Sequence, residues 1–156
     1  GGICVIDIGA APGSWSQYAA KKIKNGKILS TDLNKFNKIL NTHQLIGDFT
    51  DPAQKSLIKK YFVSKIDVVL SDMAVNTTGN KNLDSIHTGQ LCIDAMNFSK
   101  EILNKNGKFI SKIFMGSTFN EITYEAKNVF KEIKFFKPLA SRKSSKEIFI
   151  ICKLLR

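Results

Sequence analysis

Between Val5 and Trp15 the chain reads VIDIGAAPGSW, an apolar run that carries one carboxylate, Asp7, and then passes through Gly9-Ala10-Ala11-Pro12-Gly13, where side chains almost vanish. The run Ile3 to Ile8 is rich in β-branched residues and predicts a buried strand; SQYAAKKI after the loop predicts a helix, ended by KNG at Gly26. A strand that enters a helix through a glycine turn is the first unit of a parallel α/β sheet, and the bare turn lets a ligand approach the main chain. Two glycines precede the strand directly, an opening that suggests a further segment ahead of it.

The same alternation of short apolar runs and amphipathic stretches continues along the chain. Strands are expected at Lys27 to Leu33, His43 to Phe49, Ile66 to Asp72 and Lys108 to Phe114, with Asn106-Gly107 closing the helix before the last of these. Helices are expected from Asp51 to Phe62, with Pro52 tolerated in the first turn, from about Thr88 to Leu103, and over NEITYEAKNVFKEI. The polar stretch Val75 to Asp84 reads as a loop. KFFKPL and EIFIICKLL have no helix between them and should pair as a hairpin, so the sheet is expected to be parallel with one reversed strand at its end. That final hairpin separates it from a dehydrogenase sheet, which continues in parallel units. One domain of 156 residues accounts for all seven strands.

Charge narrows the partners. Lys and Arg number 24 against 13 Asp and Glu, a formal net charge of +11, while 43% of residues are apolar. A folded domain with this excess attracts polyanions, and nucleic acid is the leading candidate. Cys4, Cys92 and Cys152 are odd in number, far apart and set among apolar residues, which argues against a disulfide framework and for a reducing, cytoplasmic location. His43 and His87 have no cysteine or histidine at ligand spacing, so no metal site is expected. The apolar runs are too short for a bilayer.

The glycine loop lacks G-x-G-x-x-G spacing, Pro12 removes an N–H that a pyrophosphate would use, and Asp7 would repel phosphate. An acid beside a bare loop instead suits a ligand with a cationic centre, which points to S-adenosylmethionine. Asp32, about 20 residues past the loop at a strand end, is placed to accept from ribose hydroxyls. Asp48, in GDF, is placed to accept from the exocyclic amine of adenine. Trp15 either touches this ligand or packs the helix on the sheet.

LSDMA puts Asp72 at the carboxyl end of a central strand, beside the switch point where open sheets bind ligands. ISKIF puts Lys112 inside an apolar run, where it must reach the rim and pair or become a base with a lowered pKa. Glu147 opens the last strand. The basic turn SRKSSK just before it offers Arg142, Lys143 and Lys146 to RNA phosphates.

DIGAAPGSWSQ, GDF, SDMA, GKFISKIF and KPLASRKSSKEIFIIC, taken in order, resemble the FtsJ-type ribose 2′-O-methyltransferases over nearly the whole chain. The resemblance implies a Rossmann-like class I methyltransferase, a mostly parallel seven-stranded sheet with one antiparallel strand and helices on both faces. It implies S-adenosylmethionine as cofactor, held at Asp7, Gly9, Gly13, Trp15, Asp32, Asp48 and Asp72, and large-subunit ribosomal RNA as substrate and partner, within or outside the subunit. Transfer RNA is the rival substrate, and a non-catalytic cofactor- and RNA-binding module the rival class. The family's Lys-Asp-Lys-Glu tetrad maps onto Asp72, Lys112 and Glu147; its first lysine belongs to a basic segment ahead of the glycine-loop strand, which this sequence does not include. Val75 stands where the bacterial relatives usually carry proline.

Overall fold

The computed structural model describes residues 2–10, 13–73, 80–137 and 147–156. Pro12, Val75 and the basic trio Arg142, Lys143 and Lys146 lie outside the described residues. Among the described residues, seven strands and four helices follow one another as β1 (Ile3–Ile8), α1 (Ser14–Lys22), β2 (Gly26–Asp32), β3 (His43–Ile46), α2 (Pro52–Phe62), β4 (Ile66–Ser71), α3 (Lys81–Ile102), β5 (Leu103–Phe114), α4 (Phe119–Val129), β6 (Phe130–Phe136) and β7 (Glu147–Leu155).

The strands form one sheet in the order β3-β2-β1-β4-β5-β7-β6. β1 to β5 pair in parallel, and β7 runs antiparallel to both β5 and β6. The hairpin is therefore present, but the reversed strand is inserted beside β5 and β6 takes the edge. That edge is fitted for solvent. Lys131 and Lys134 are exposed along it, and charged side chains on an edge strand discourage further pairing.

Three boundaries differ from the sequence expectation. α3 starts at Lys81, inside the expected loop, because the Asn80 side chain accepts from the Leu83 N–H at 3.1 Å and caps it there. β5 starts at Leu103, ahead of Asn106-Gly107, and its register against β4 jumps from Ile66↔Leu103 to Val68↔Lys108, so the extra residues bulge out instead of ending the helix. The last expected helix stops at Val129, where Phe130 turns fully inward and begins β6.

Register shows how the two faces of the sheet are used. Ile6, Leu29, Val69, Phe109 and Ile150 point to one face and are fully buried in a core shared with Ile58 and Phe62 of α2, Met96 and Phe98 of α3, and Ile122 and Ala126 of α4. On the other face α1 covers β1 and β2, with Ser16 bonded to Asp7 and Ser30. The burial strings follow from this: β1 and β2 are buried almost continuously towards their carboxyl ends, whereas β5 and β7 alternate buried and half-buried residues. No helix among the described residues is long and apolar enough to cross a membrane.

Candidate active site

Parallel strands deliver their carboxyl ends to one edge, and there the turns after β1, β2 and β3 leave an open cleft. Its walls are Gly9, Thr31, Asp32, Gly47, Asp48, Phe49, Met73 and Leu91. Gly9 sits at φ +77°, its N–H bonded to the Thr31 carbonyl at 2.9 Å, and a Cβ there would stand 2.6 Å from the Asp72 carbonyl oxygen. Only glycine fits where the main chains of the β1 and β4 turns close on each other. Gly13, at φ +115°, caps α1 without a side chain, and a Cβ there would meet Ile39 at 2.8 Å.

Each acid in the cleft is held differently. Asp32 accepts from the Asn34 N–H at 2.9 Å through Oδ1. Asp48 accepts at Oδ1 from the Thr50 hydroxyl (2.6 Å) and N–H (2.9 Å), which fixes the carboxylate in the cleft wall and holds its pKa below the ordinary carboxylate value. α2 steadies this wall from behind. Gln54 donates to the Thr31 hydroxyl at 3.1 Å, and Lys55 pairs with Asp94 at 2.9 Å over the ring of Phe49.

Asp7 does not line the cleft. It lies behind the glycine turn, 1% exposed, with Oδ2 accepting from the Ser16 hydroxyl at 2.6 Å and Oδ1 buried without a partner. Burial pushes its pKa up to about 6, the Ser16 bond opposes this, and the carboxylates of Asp72 and Asp32 add to the rise.

Beyond β4 the site changes character. Lys112 reaches the rim and pairs with Asp72, Nζ to Oδ2 3.2 Å, both side chains about a third exposed (28% and 32%). This is the first of the two options the sequence allowed. Register sets Glu147 opposite Phe114 and Phe149 opposite Lys112, so Glu147 is the diagonal neighbour of Lys112 on the same face. Trp15 stands against Phe149, ring centroids 5.7 Å apart, and lines an apolar trough with Val68, Leu70 and Ile110; it packs α1 onto the sheet and is not part of the cleft wall.

The structure thus gathers Gly9, Asp32 and Asp48 at the cleft, with Lys112, Asp72 and Glu147 beside it. The sequence reading did not single out Ser16, Met73 or Leu91. Ser16 lies in the helix start SWSQ, where a hydroxyl reads as a cap, and the two apolar residues carry no signal that separates a cleft lining from a core. Among the described residues no group of three or more His, Cys, Asp or Glu is placed to hold a metal ion. S-Adenosylmethionine fits what is present: a bare turn for close approach, two acids for the hydroxyls and amine of an adenosine, and a buried acceptor with no donor, in a field of three carboxylates that suits a cation.

The profile of the FtsJ-like methyltransferases matches residues 1–155. The ribosomal RNA large subunit methyltransferase E of Pelagibacter ubique is 60% identical over 155 residues, covering 99% of this chain and 76% of that protein. The protein of the same name from Rickettsia akari is 43% identical, covering 94% and 67%. In three dimensions a ribosomal RNA methyltransferase from Plasmodium falciparum superposes with a TM-score of 0.83 at 29% identity, over 98% of this chain and 86% of that one. Sequence, topology and the acids around the glycine turn agree, and the chain belongs to the FtsJ-like methyltransferase family, as an enzyme that uses S-adenosylmethionine.

Proposed function

We propose that the chain transfers a methyl group from S-adenosylmethionine to a ribose 2′-hydroxyl of large-subunit ribosomal RNA in the cytoplasm. The observation that carries this reading is the Lys112–Asp72 pair at 3.2 Å, standing at the rim directly beside the acid-lined cleft. The relatives named for large-subunit ribosomal RNA supply the substrate class, and the net charge of +11 suits an RNA partner.

When bound, the cofactor supplies an electrophilic methyl on a positively charged sulfur. Asp32 would hold the ribose of the cofactor and Asp48 its adenine amine, and Gly9 and Gly13 would let that molecule lie against main chain. A ribose hydroxyl is a poor nucleophile at neutral pH, so the enzyme must manage its proton while it is held in line. Lys112 does this. Asp72 holds the amine at the rim and Glu147 orients it from β7; Nζ first gives one proton to solvent, and its freed lone pair then takes the hydroxyl proton as charge develops on the oxygen. Arg142, Lys143 and Lys146 clamp the flanking phosphates.

Lys112→Ala is expected to lower turnover on a large-subunit ribosomal RNA fragment at least ~100-fold and to leave the cofactor dissociation constant within about threefold. Lys112→Arg keeps a cation but cannot accept a proton. It should be nearly as slow. Turnover close to wild type in the alanine variant overturns the role of Lys112, and methylation of transfer RNA in preference to the ribosomal fragment overturns the substrate.

A further inference from the structure

Asp7 is the most buried ionisable carboxylate beside the site, and none of the steps above uses it. It belongs to β1 and faces α1. From α1 it meets the Ser16 hydroxyl, which is also within hydrogen-bond distance of Ser30 on β2. The charged groups that act on it are the carboxylates of Asp32, at the end of β2, and Asp72, past the end of β4. The amine from β5, Lys112, is engaged with Asp72. The Ser16 N–H adds a second bond to the carboxylate, yet among the described residues Asp7 Oδ1 has no hydrogen-bond donor and the carboxylate no counter-ion.

We propose that Asp7 sets the preference of the crevice between the sulfonium form of the cofactor and the neutral thioether left after transfer, acting as a positioning residue through its field from behind the glycine turn. The two forms differ by one unit of charge at sulfur, so contacts to adenine, ribose and the amino acid part cannot separate them strongly. Charge can. Through a low-dielectric wall, a carboxylate without a counter-ion favours a cation across the turn far more than it would in water. This rests on the reading that the cofactor occupies the crevice.

The proton balance gives the inference a readout other than turnover. Burial and the two neighbouring carboxylates hold the Asp7 carboxyl at about 6, so below that pH it carries a proton. Arrival of the sulfonium displaces that proton to the buffer. Arrival of the thioether does not. After transfer the sulfur loses its charge, and in mildly acidic solution the carboxyl takes a proton back from solvent.

The test is calorimetric titration of the chain with S-adenosylmethionine and, separately, with S-adenosylhomocysteine at pH 7.5 and pH 5.0, in two buffers of different ionisation enthalpy. Between those pH values affinity for the sulfonium form should fall about tenfold, with up to one proton released per molecule bound at the lower pH. Affinity for the thioether should change less than about twofold. Asp7→Asn should flatten the sulfonium curve and narrow the preference at neutral pH; if that variant does not fold, the wild-type curves decide alone. Two forms that bind competitively with parallel pH dependence overturn the role of Asp7 and leave the crevice reading standing. Failure of either form to bind, or binding without competition, overturns both.

Discussion

The two faces of the sheet are built from similar residues and used differently. On the face covered by α2, α3 and α4, Val69, Phe109, Ile113 and Ile150 are 1% exposed or less. On the face of α1, their neighbours Val68, Leu70, Ile110, Phe149 and Ile151 are only half-buried, and the first four line an open apolar trough with Trp15 and Tyr18. One helix covers two strands where three helices cover the whole sheet opposite. The groups proposed to act on the substrate and on the charge of the cofactor sit on the thinly covered side: Asp7 under α1, Lys112 and Glu147 along the rim. Stability is concentrated on the opposite face, whose α2 and α3 also brace and wall the cleft through Gln54, Lys55 and Leu91, so the rim is free to hold groups that do not suit a packed core.

Neighbouring residues of the same type give the sharpest test. Ile150 and Ile151 are adjacent on β7 and point to opposite faces, the first fully buried and the second half-buried. Ile150→Ala leaves a cavity in a close-packed core and is expected to cost about 3 kcal/mol of unfolding free energy in urea titrations. Ile151→Ala removes surface that water already reaches, and about 1 kcal/mol is expected. Equal losses would mean that the two faces are equally closed in solution.

Asp7 tests the other half of the comparison, the polar groups held on the α1 side. Its carboxyl is pushed from 3.8 to about 6, so the native state holds that proton more tightly than the unfolded chain does. Across the window from 3.8 to 6 the native state binds more protons, and stability falls as pH rises. Above it the accumulated cost is roughly 3 kcal/mol. Asp7→Asn, without cofactor, should raise the melting temperature at pH 7.5 by an amount equivalent to about 1–3 kcal/mol, less than the full cost because the amide is buried with incomplete pairing. At pH 4, where the wild-type carboxyl is already protonated in the fold, the gain should shrink towards zero. A gain that is independent of pH would remove charge burial as its cause.

The covered face was also the more legible one in the sequence. Ile66–Ser71 and Glu147–Leu155 stand out as apolar runs, and the reversed pairing of the last strand follows from the missing helix before it. The errors fall where one stretch fits two periods. FKEI continues the helical spacing of α4, yet it forms the start of β6 because Phe130 stacks on Phe109 at 6.2 Å, a contact made only in three dimensions. The start of α3 was hidden in a polar run whose single useful residue, Asn80, is a cap. In the site, Asp32, Asp48, Asp72 and Lys112 were readable because strand ends dictate where such residues go. The Ser16 bond to Asp7 and the partnerless oxygen were not, since both depend on how α1 crosses the sheet.

The smallest expected effect bears on the trough itself. Ile110 and Phe109 are successive residues of β5, and Ile110 belongs to the half-buried set. Ile110→Thr keeps the β-branched shape that a strand favours and replaces apolar surface with a hydroxyl. In a packed core that hydroxyl would lose its water without gaining a partner, at a cost of about 1–3 kcal/mol. In an open trough it stays hydrated, and the expected loss is about 0.5–1 kcal/mol in the same urea titrations. A loss as large as that of Ile150→Ala would show that the α1 face is covered in solution. Sedimentation of the wild-type chain over a range of concentrations would then show whether a second copy provides the cover, because an apolar patch of this kind on one chain draws self-association when nothing else occupies it.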